Sequence, residues 1–145
     1  MKRNCTAPRM SVNDRGPDPF ALNLTAAARQ NTSYRKALWT GRCLQLTVMS
    51  IPTGGEIGLE VHPDTDQFFG IESGSASVMT GPAENRLNRS CPVSAGHGVF
   101  VPAGTWHNII NTGSCPLKLY TIYAPPHHPH GTVQATKAIA DRQHH

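Results

Sequence analysis

The chain has 145 residues and a formal net charge of +4, with 38% hydrophobic and 15% charged residues, which bounds it to one globular domain able to bury a core. No apolar run approaches the roughly 18–20 residues needed to cross a bilayer. The basic start MKRNCTAPRM is followed by no apolar h-region, so a cytoplasmic protein with no membrane partner is expected. The positive charge is uneven: residues 1–42 hold eight Lys/Arg against Asp14 and Asp18, a balance of +6, whereas residues 43–145 hold five against seven acids, a balance of −2. No zinc-finger, RNP-like or helix-turn-helix pattern accompanies the basic stretch, so it reads as a solvated arm and nucleic acid is not an expected partner. The four cysteines, Cys5, Cys43, Cys91 and Cys115, are scattered without ligand spacing and read as reduced thiols rather than a disulfide framework or a zinc knuckle.

In chain order, residues 1–19 are rich in Pro, Asn, Asp and Gly and read as a flexible arm. The Ala run within residues 20–30 supports one or two helical turns, so residues 1–33 form an arm with a short helix. From residue 34 the pattern changes to short β segments punctuated by Gly and Pro. Tyr34–Thr40, Leu44–Ile51, Ile57–His62, Gln67–Glu72 and Ser75–Thr80 are expected strands. Residues 81–95, with Pro82 and Pro92, read as a surface connection. Gly98–Val101, Trp106–Asn111 and Leu117–Tyr123 complete the series, and Pro125-Pro126 ends it because Pro removes ladder donors. Residues 125–145 form a tail with a short helix near Ala135–Arg142. Its His127, His128 and His130 read as solvated. Many short strands with almost no helix argue for an all-β sandwich or closed barrel over residues 34–124.

Glu60 and His62 lie two apart on an expected strand, so their side chains share a face while Val61 points away. The turn at Pro63–Asp66 returns Gln67 beside them, giving a carboxylate, an imidazole and an amide oxygen aimed at one point. Taken alone, such a short pattern is more often a solvent-facing polar pair on an edge strand. The run from Gly96 to Asn111, with Pro102, Gly104 and His107, fits GX5PXGX2HX3N without a mismatch. With this run the chain resembles the cupin superfamily, whose second motif it matches. The first cupin motif, GX5HXHX4EX6G, aligns from Gly54 to Gly74 with every spacing kept, but Glu60 stands where the family has its first His and Gln67 where it has the acid.

The resemblance covers residues 34–124 and implies a double-stranded β-helix, or jelly-roll, barrel. It is similar to the small single-domain cupins labelled mannose-6-phosphate-isomerase-like, through the runs EVHPDTDQFF and PAGTWHN. It implies a metal site at Glu60, His62, Gln67 and His107. In the bottom-up reading, the turn at Pro102–Gly104 leads into a strand from which His107 points toward the other three. Two imidazoles and a carboxylate suit a divalent transition metal, Zn, Mn, Fe, Ni or Co. The family's single acid is retained in number but moved in position. A pocket that holds only water is the alternative.

The expected function is metal-dependent chemistry on a small polar molecule inside the barrel, either sugar or sugar-phosphate isomerisation or dioxygenation. Glu60 is the candidate general base if it leaves the metal. A non-catalytic binding or sensing module, or a storage cupin, are the rivals. Asn111 is expected to serve internal hydrogen bonding, Phe69 and Ile71 the core, Trp106 core or dimer packing, and Tyr120 and Tyr123 the barrel mouth or surface. His97 reads as peripheral. An exposed β edge at Tyr34–Thr40 points to a homodimer.

Overall fold

The computed structural model describes residues 13–143, so residues 1–12 of the expected arm lie outside the described residues. Among the described residues nine strands form two antiparallel sheets: β1 (Arg35–Thr40), β2 (Gln45–Ile51), β3 (Asp66–Ser73), β4 (Ser75–Gly81), β5 (Arg89–Ser94), β6 (Gly98–Val101), β7 (Trp106–Asn111), β8 (Leu117–Ala124) and β9 (Val133–Gln134). The larger sheet runs β6-β3-β8-β2-β1-β9 and the smaller β5-β4-β7. Two short helices, α1 (Leu24–Gln30) and α2 (Lys137–Gln143), flank them. The architecture is that of a two-sheet antiparallel β-sandwich of the jelly-roll kind.

Alternation along the strands builds the interior. In β8 every second residue (Leu117, Leu119, Thr121, Tyr123) is buried, as period-two side-chain geometry requires of a strand with one face on the core. Met49, Ile51, Ile71, Leu117 and Leu119 of the larger sheet meet Ala76, Val78, Val93 and Ile109 of the smaller. The cross-strand register then changes the chemistry of the interior along its length. Toward one end lies the apolar row Ile71, Leu119, Met49; further along comes Phe69, Thr121, Thr47; then Gln67, Tyr123, Gln45. Buried polar groups need partners, and Thr47 and Thr121 join hydroxyl to hydroxyl at 2.7 Å.

The outer face of the larger sheet is covered in part by α1, whose Ala27 and Ala28 pack on Leu38 and Val48. Asn23 caps this helix by accepting from Ala26 N at 3.0 Å. Gly70 has a local reason: any Cβ there would collide with the Tyr120 ring. An apolar groove on this outer face, lined by Phe20, Leu22, Trp39 and Leu46, carries no metal-donor side chain.

Three expectations are corrected. Ile57–His62 is not a continuous strand: the chain over residues 56–60 touches β7 through two isolated bridges, Glu56 with Ile110 and Glu60 with His107. Gly58, at φ +99°, bends the chain between them. The connection 81–95 contains β5, a strand despite Pro92; it pairs only with β4, and a proline is tolerated where one side of the strand needs no ladder donor. The segment after Pro126 is anchored to the sheet, although the side chains of His127 and His130 are exposed as expected and that of His128 is half-buried. Buried Gln45 accepts from the backbone N of His127 at 3.1 Å and of His128 at 2.9 Å, and donates to His128 O at 2.8 Å. Downstream of this anchor, β9 pairs with β1 and α2 contributes Ala140 to the core.

The arm is likewise fastened from Asp14 onward. Its carboxylate accepts from Gly16 N at 3.0 Å, Thr40 N at 2.9 Å and Gly131 N at 3.0 Å, which ties both terminal segments to the end of β1. Cys43, Cys91 and Cys115 are exposed free thiols, and Cys5 lies outside the described residues. No helix among the described residues is long and apolar enough to cross a membrane.

Candidate metal centre

The centre is assembled by backbone pairing. Glu60 N donates to His107 O and His107 N donates to Glu60 O, each at 2.9 Å. Such a reciprocal pair sets two residues directly opposite one another with their side chains on one face. His62 follows two residues later, and its own carbonyl accepts from Gly104 N at 2.9 Å. That bond locks the Pro102–Thr105 turn onto the loop carrying His62. Gly104 takes φ +82° to make the turn, a conformation that favours glycine. Ala103 N adds a second tie, donating to Asp66 Oδ1 at 2.9 Å.

The result is a tight donor cluster. Ligand atoms of Glu60, His62 and His107 all lie within 4.8 Å of one another. Glu60 Oε2 stands 3.3 Å from His62 Nε2 and 3.7 Å from His107 Nε2. His62 and His107 are both buried. His107 Nδ1 lies 3.0 Å from Thr105 O; a carbonyl can only accept, so Nδ1 carries the proton and Nε2 presents a lone pair inward. A second partner that fixes the tautomer in this way is what metal-ligating histidines ordinarily have.

Gln67 projects from β3 opposite Tyr123 of β8. The Tyr123 ring meets His62 edge-on at 5.8 Å. The structure thus brings Glu60, His62 and His107 together and sets Gln67 on the adjoining sheet. Among the described residues, the buried side-chain N and O atoms without a hydrogen-bond partner are Glu60 Oε2, both ring nitrogens of His62, Gln67 Oε1, His107 Nε2 and Arg35 Nε. Orphaned buried polar atoms are rare, and an ion or ordered water is one kind of partner that satisfies them. Here they include a donor atom from each of the four residues at the motif's ligand positions. The donor chemistry, two imidazoles, one carboxylate and one amide oxygen, fits a borderline divalent ion.

Arg35 is the main residue that the sequence reading missed. It is buried in β1, with Nη1 donating to Gln134 Oε1 at 2.7 Å and Nη2 standing 3.8 Å from Glu60 Oε1. Burial pushes the Glu60 carboxyl upward, but the neighbouring imidazoles of His107 and His62 and the Arg35 charge outweigh it and hold the group well below the usual carboxylate range. Burial also raises the phenols of Tyr34 and Tyr123. Tyr123 is fully buried at the site, not at the surface.

Two tail histidines lie beside the centre. The His127 ring lies 4.1 Å from that of His62, and His128 Nε2 is 3.3 Å from the Tyr123 hydroxyl. Burial first, then the charge of Arg35, pushes the His128 imidazole down to about 2. His130 lies further off, against Asp14 at 3.3 Å. A cavity of about 350 Å³, lined in part by Leu59, Glu60, His62, Trp106, His127 and Lys137, leads from the surface to the cluster. Trp106 therefore lines the entrance rather than the core. Phe69 and Ile71 are core residues, Phe69 with its ring 5.9 Å from that of His107. Asn111 donates through Nδ2 to Ile51 O, Pro52 O and Cys115 O and accepts from Gly113 N, all within the fold. His97 is exposed.

Comparison with known proteins agrees with this geometry. The model of the cupin domain matches residues 47–123. The chain is 53% identical over 129 residues to the uncharacterised Bacillus subtilis protein YrkC, covering 89% of this chain and 69% of that one. A crystal structure from Bacillus halodurans superposes with a TM-score of 0.90 at 51% identity, covering 90% of this chain and 99% of that one. A Bacillus subtilis oxalate decarboxylase with Mn(II) centres shares the fold at a TM-score of 0.55 and 24% identity, over 61% of this chain and 23% of that one. From its motifs, its two sheets and a family match spanning more than half its length, the chain belongs to the cupin family.

Proposed function

We propose that the chain is a metal-dependent cupin in which Glu60, His62, Gln67 and His107 hold one divalent ion and present it to a small polar molecule entering by the Trp106–His127 cavity. The observation that carries this reading is the set of partnerless buried donor atoms, one or more from each of those four residues; among the described residues the other buried side-chain N or O atom without a partner is Nε of the adjoining Arg35. A bound ion supplies Lewis acidity toward a carbonyl or hydroxyl of the molecule. The protein's own contribution is positional. The Glu60–His107 backbone pair and the Gly104–His62 bond fix three donors, and Thr105 O fixes the tautomer of the third.

Glu60 divides its carboxylate, Oε2 toward the imidazoles and Oε1 toward Arg35. Released from the ion, it is the group able to take a proton from the bound molecule. Isomerisation of a sugar or sugar phosphate and oxidation or decarboxylation of a small organic acid are the reaction classes consistent with that equipment, the latter having a fold relative in oxalate decarboxylase.

The test is calorimetric titration of metal-stripped protein with Mn(II), Zn(II), Ni(II) and Co(II). One site per chain is expected for at least one of them. His107→Ala should lose most of the affinity, a hundredfold or so, since it removes half the imidazole ligation; Gln67→Ala should lose about tenfold or less, because water can replace a neutral oxygen donor. Undiminished affinity in His107→Ala would move the ion elsewhere.

A further inference from the structure

We propose that the loaded centre takes its small-molecule ligand as an anion, a carboxylate or an equivalent charged oxygen donor, because Arg35 cancels the charge of Glu60. This rests on the metal-binding reading above and adds the chemical class of the ligand.

The charges around the site can be counted from the groups that face it. Glu60 is the one carboxylate among the four donor residues, and Arg35 Nη2 stands 3.8 Å from its outer oxygen. Both side chains are removed from bulk water, Arg35 at 5% and Glu60 at 19% exposure. At that separation and burial the guanidinium acts on the carboxylate with little screening. His62, His107 and Gln67 bring no charge when they ligate through a lone pair. The Tyr34 phenol, which donates to Ile57 O at 3.0 Å, and the buried Tyr123 phenol are neutral. At the cavity mouth Lys137 is paired with Asp141 at 2.8 Å, so it contributes nothing net.

Glu60 and Arg35 therefore cancel one another, and a divalent ion placed beside them keeps its full charge of +2. An ion's own charge belongs in any account of such a site, and an uncompensated charge away from water is costly. The compensation has to come from the ligand. A cupin centre with one acid and no facing arginine would carry one unit less.

Arg35 is built in for this role rather than left there by packing. The strand pairing of Arg35 with Gln134 and the 2.7 Å bond from Nη1 to Gln134 Oε1 fix one side of the guanidinium. The other side, Nε with Nη2, is the edge that matches a carboxylate in parallel. Its Nη2 faces Glu60, and its Nε has no hydrogen-bond partner. Neither the Arg35 side chain nor its charge is implied by the cupin motifs, which begin at Gly54.

The test uses Co(II)-loaded protein, its metal content first confirmed by mass spectrometry, and follows the visible spectrum on titration with glycolate and with the uncharged ethylene glycol. Glycolate should bind at least tenfold more tightly than ethylene glycol. Arg35→Met should weaken glycolate on the order of tenfold with ethylene glycol unmoved, the size expected for a unit charge several ångströms away at intermediate dielectric. Arg35→Lys, which keeps the charge and loses the planar fork, should stay near wild type. Equal affinities for the two probes in wild type would overturn the inference. So would an Arg35→Met protein that keeps both its metal and its glycolate affinity. Should Arg35→Met not fold, the wild-type comparison still decides. A wild type that takes up no Co(II), Mn(II) or Zn(II) would overturn the metal reading itself and this inference with it, and mass spectrometry separates that failure from the others.

Discussion

Glu60 is held by opposed forces: burial favours its neutral form, while His107, His62 and Arg35 favour the charged one and prevail. A carboxyl whose folded-state pKa is depressed stabilises the fold above its unfolded value, about 4.3 for Glu, and loses that contribution as pH falls below it. Glu60→Gln removes the titrating group, so the variant's stability should fall less steeply than wild type between about pH 4.5 and pH 3. At neutral pH it should be less stable by roughly 2 kcal/mol, because Arg35 is left buried without its counter-ion. Urea unfolding at intervals from about pH 7 to pH 3 reads both effects; parallel curves for the two proteins would contradict the assignment. At this scale the sequence was informative where spacing is local. Glu60 and His62 are two apart, and His107 follows a glycine turn inside one unbroken motif. Arg35 was not legible, because its direction depends on the register of β1 with β2 and β9 and on the irregularity between Ala37 and Trp39. No local pattern encodes that.

Among the elements, those with clear alternation and glycine or proline punctuation were legible, as β2, β3, β4, β7 and β8 show. Two failures have physical causes. Gly58 breaks the expected strand before Glu60, and its N donates to Asn108 Oδ1 at 2.9 Å instead of to a ladder carbonyl. The C-terminal segment looked polar and proline-interrupted, yet long-range bonds from Gln45 and Asp14 fasten it to the sheet. Through Gln134 that segment reaches the candidate site. Gln134→Ala should therefore cost about 2 kcal/mol by leaving a buried guanidinium donor unpaired. It should also weaken metal binding by less than His107→Ala does, since the ligands themselves remain. Thermal unfolding with and without metal measures both; an effect on stability with no effect on metal affinity would uncouple the segment from the centre.

For the whole molecule, the match of two motifs separated by some twenty residues carried the family, while the assembly of the sheets did not follow from either. The homodimer expectation rested on an open edge at residues 34–40. β1 is paired with β2 on one side and β9 on the other, and Ala37 N donates to Thr132 O at 2.8 Å. Among the described residues the edge strands are β6 and β9 of the larger sheet and β5 and β7 of the smaller, with Phe100 of β6 at 79% exposure. The interior itself is graded from an aliphatic end at Ile51, Ile71 and Leu117 to a polar end at Gln45, Gln67 and Tyr123, and the donor cluster sits at the polar end. That gradient is why one end of the sandwich stabilises the fold and the other is free to bind. The central claim is that this polar end holds one ion. Crystals grown with Mn(II) or Zn(II), measured with anomalous scattering at the metal edge, test it most directly. A single anomalous peak within about 2.0–2.3 Å of Glu60 Oε2, His62 Nε2, Gln67 Oε1 and His107 Nε2 is the expected result. A cluster free of anomalous signal, or a peak only at the exposed His97, His130 or cysteine side chains, would contradict it.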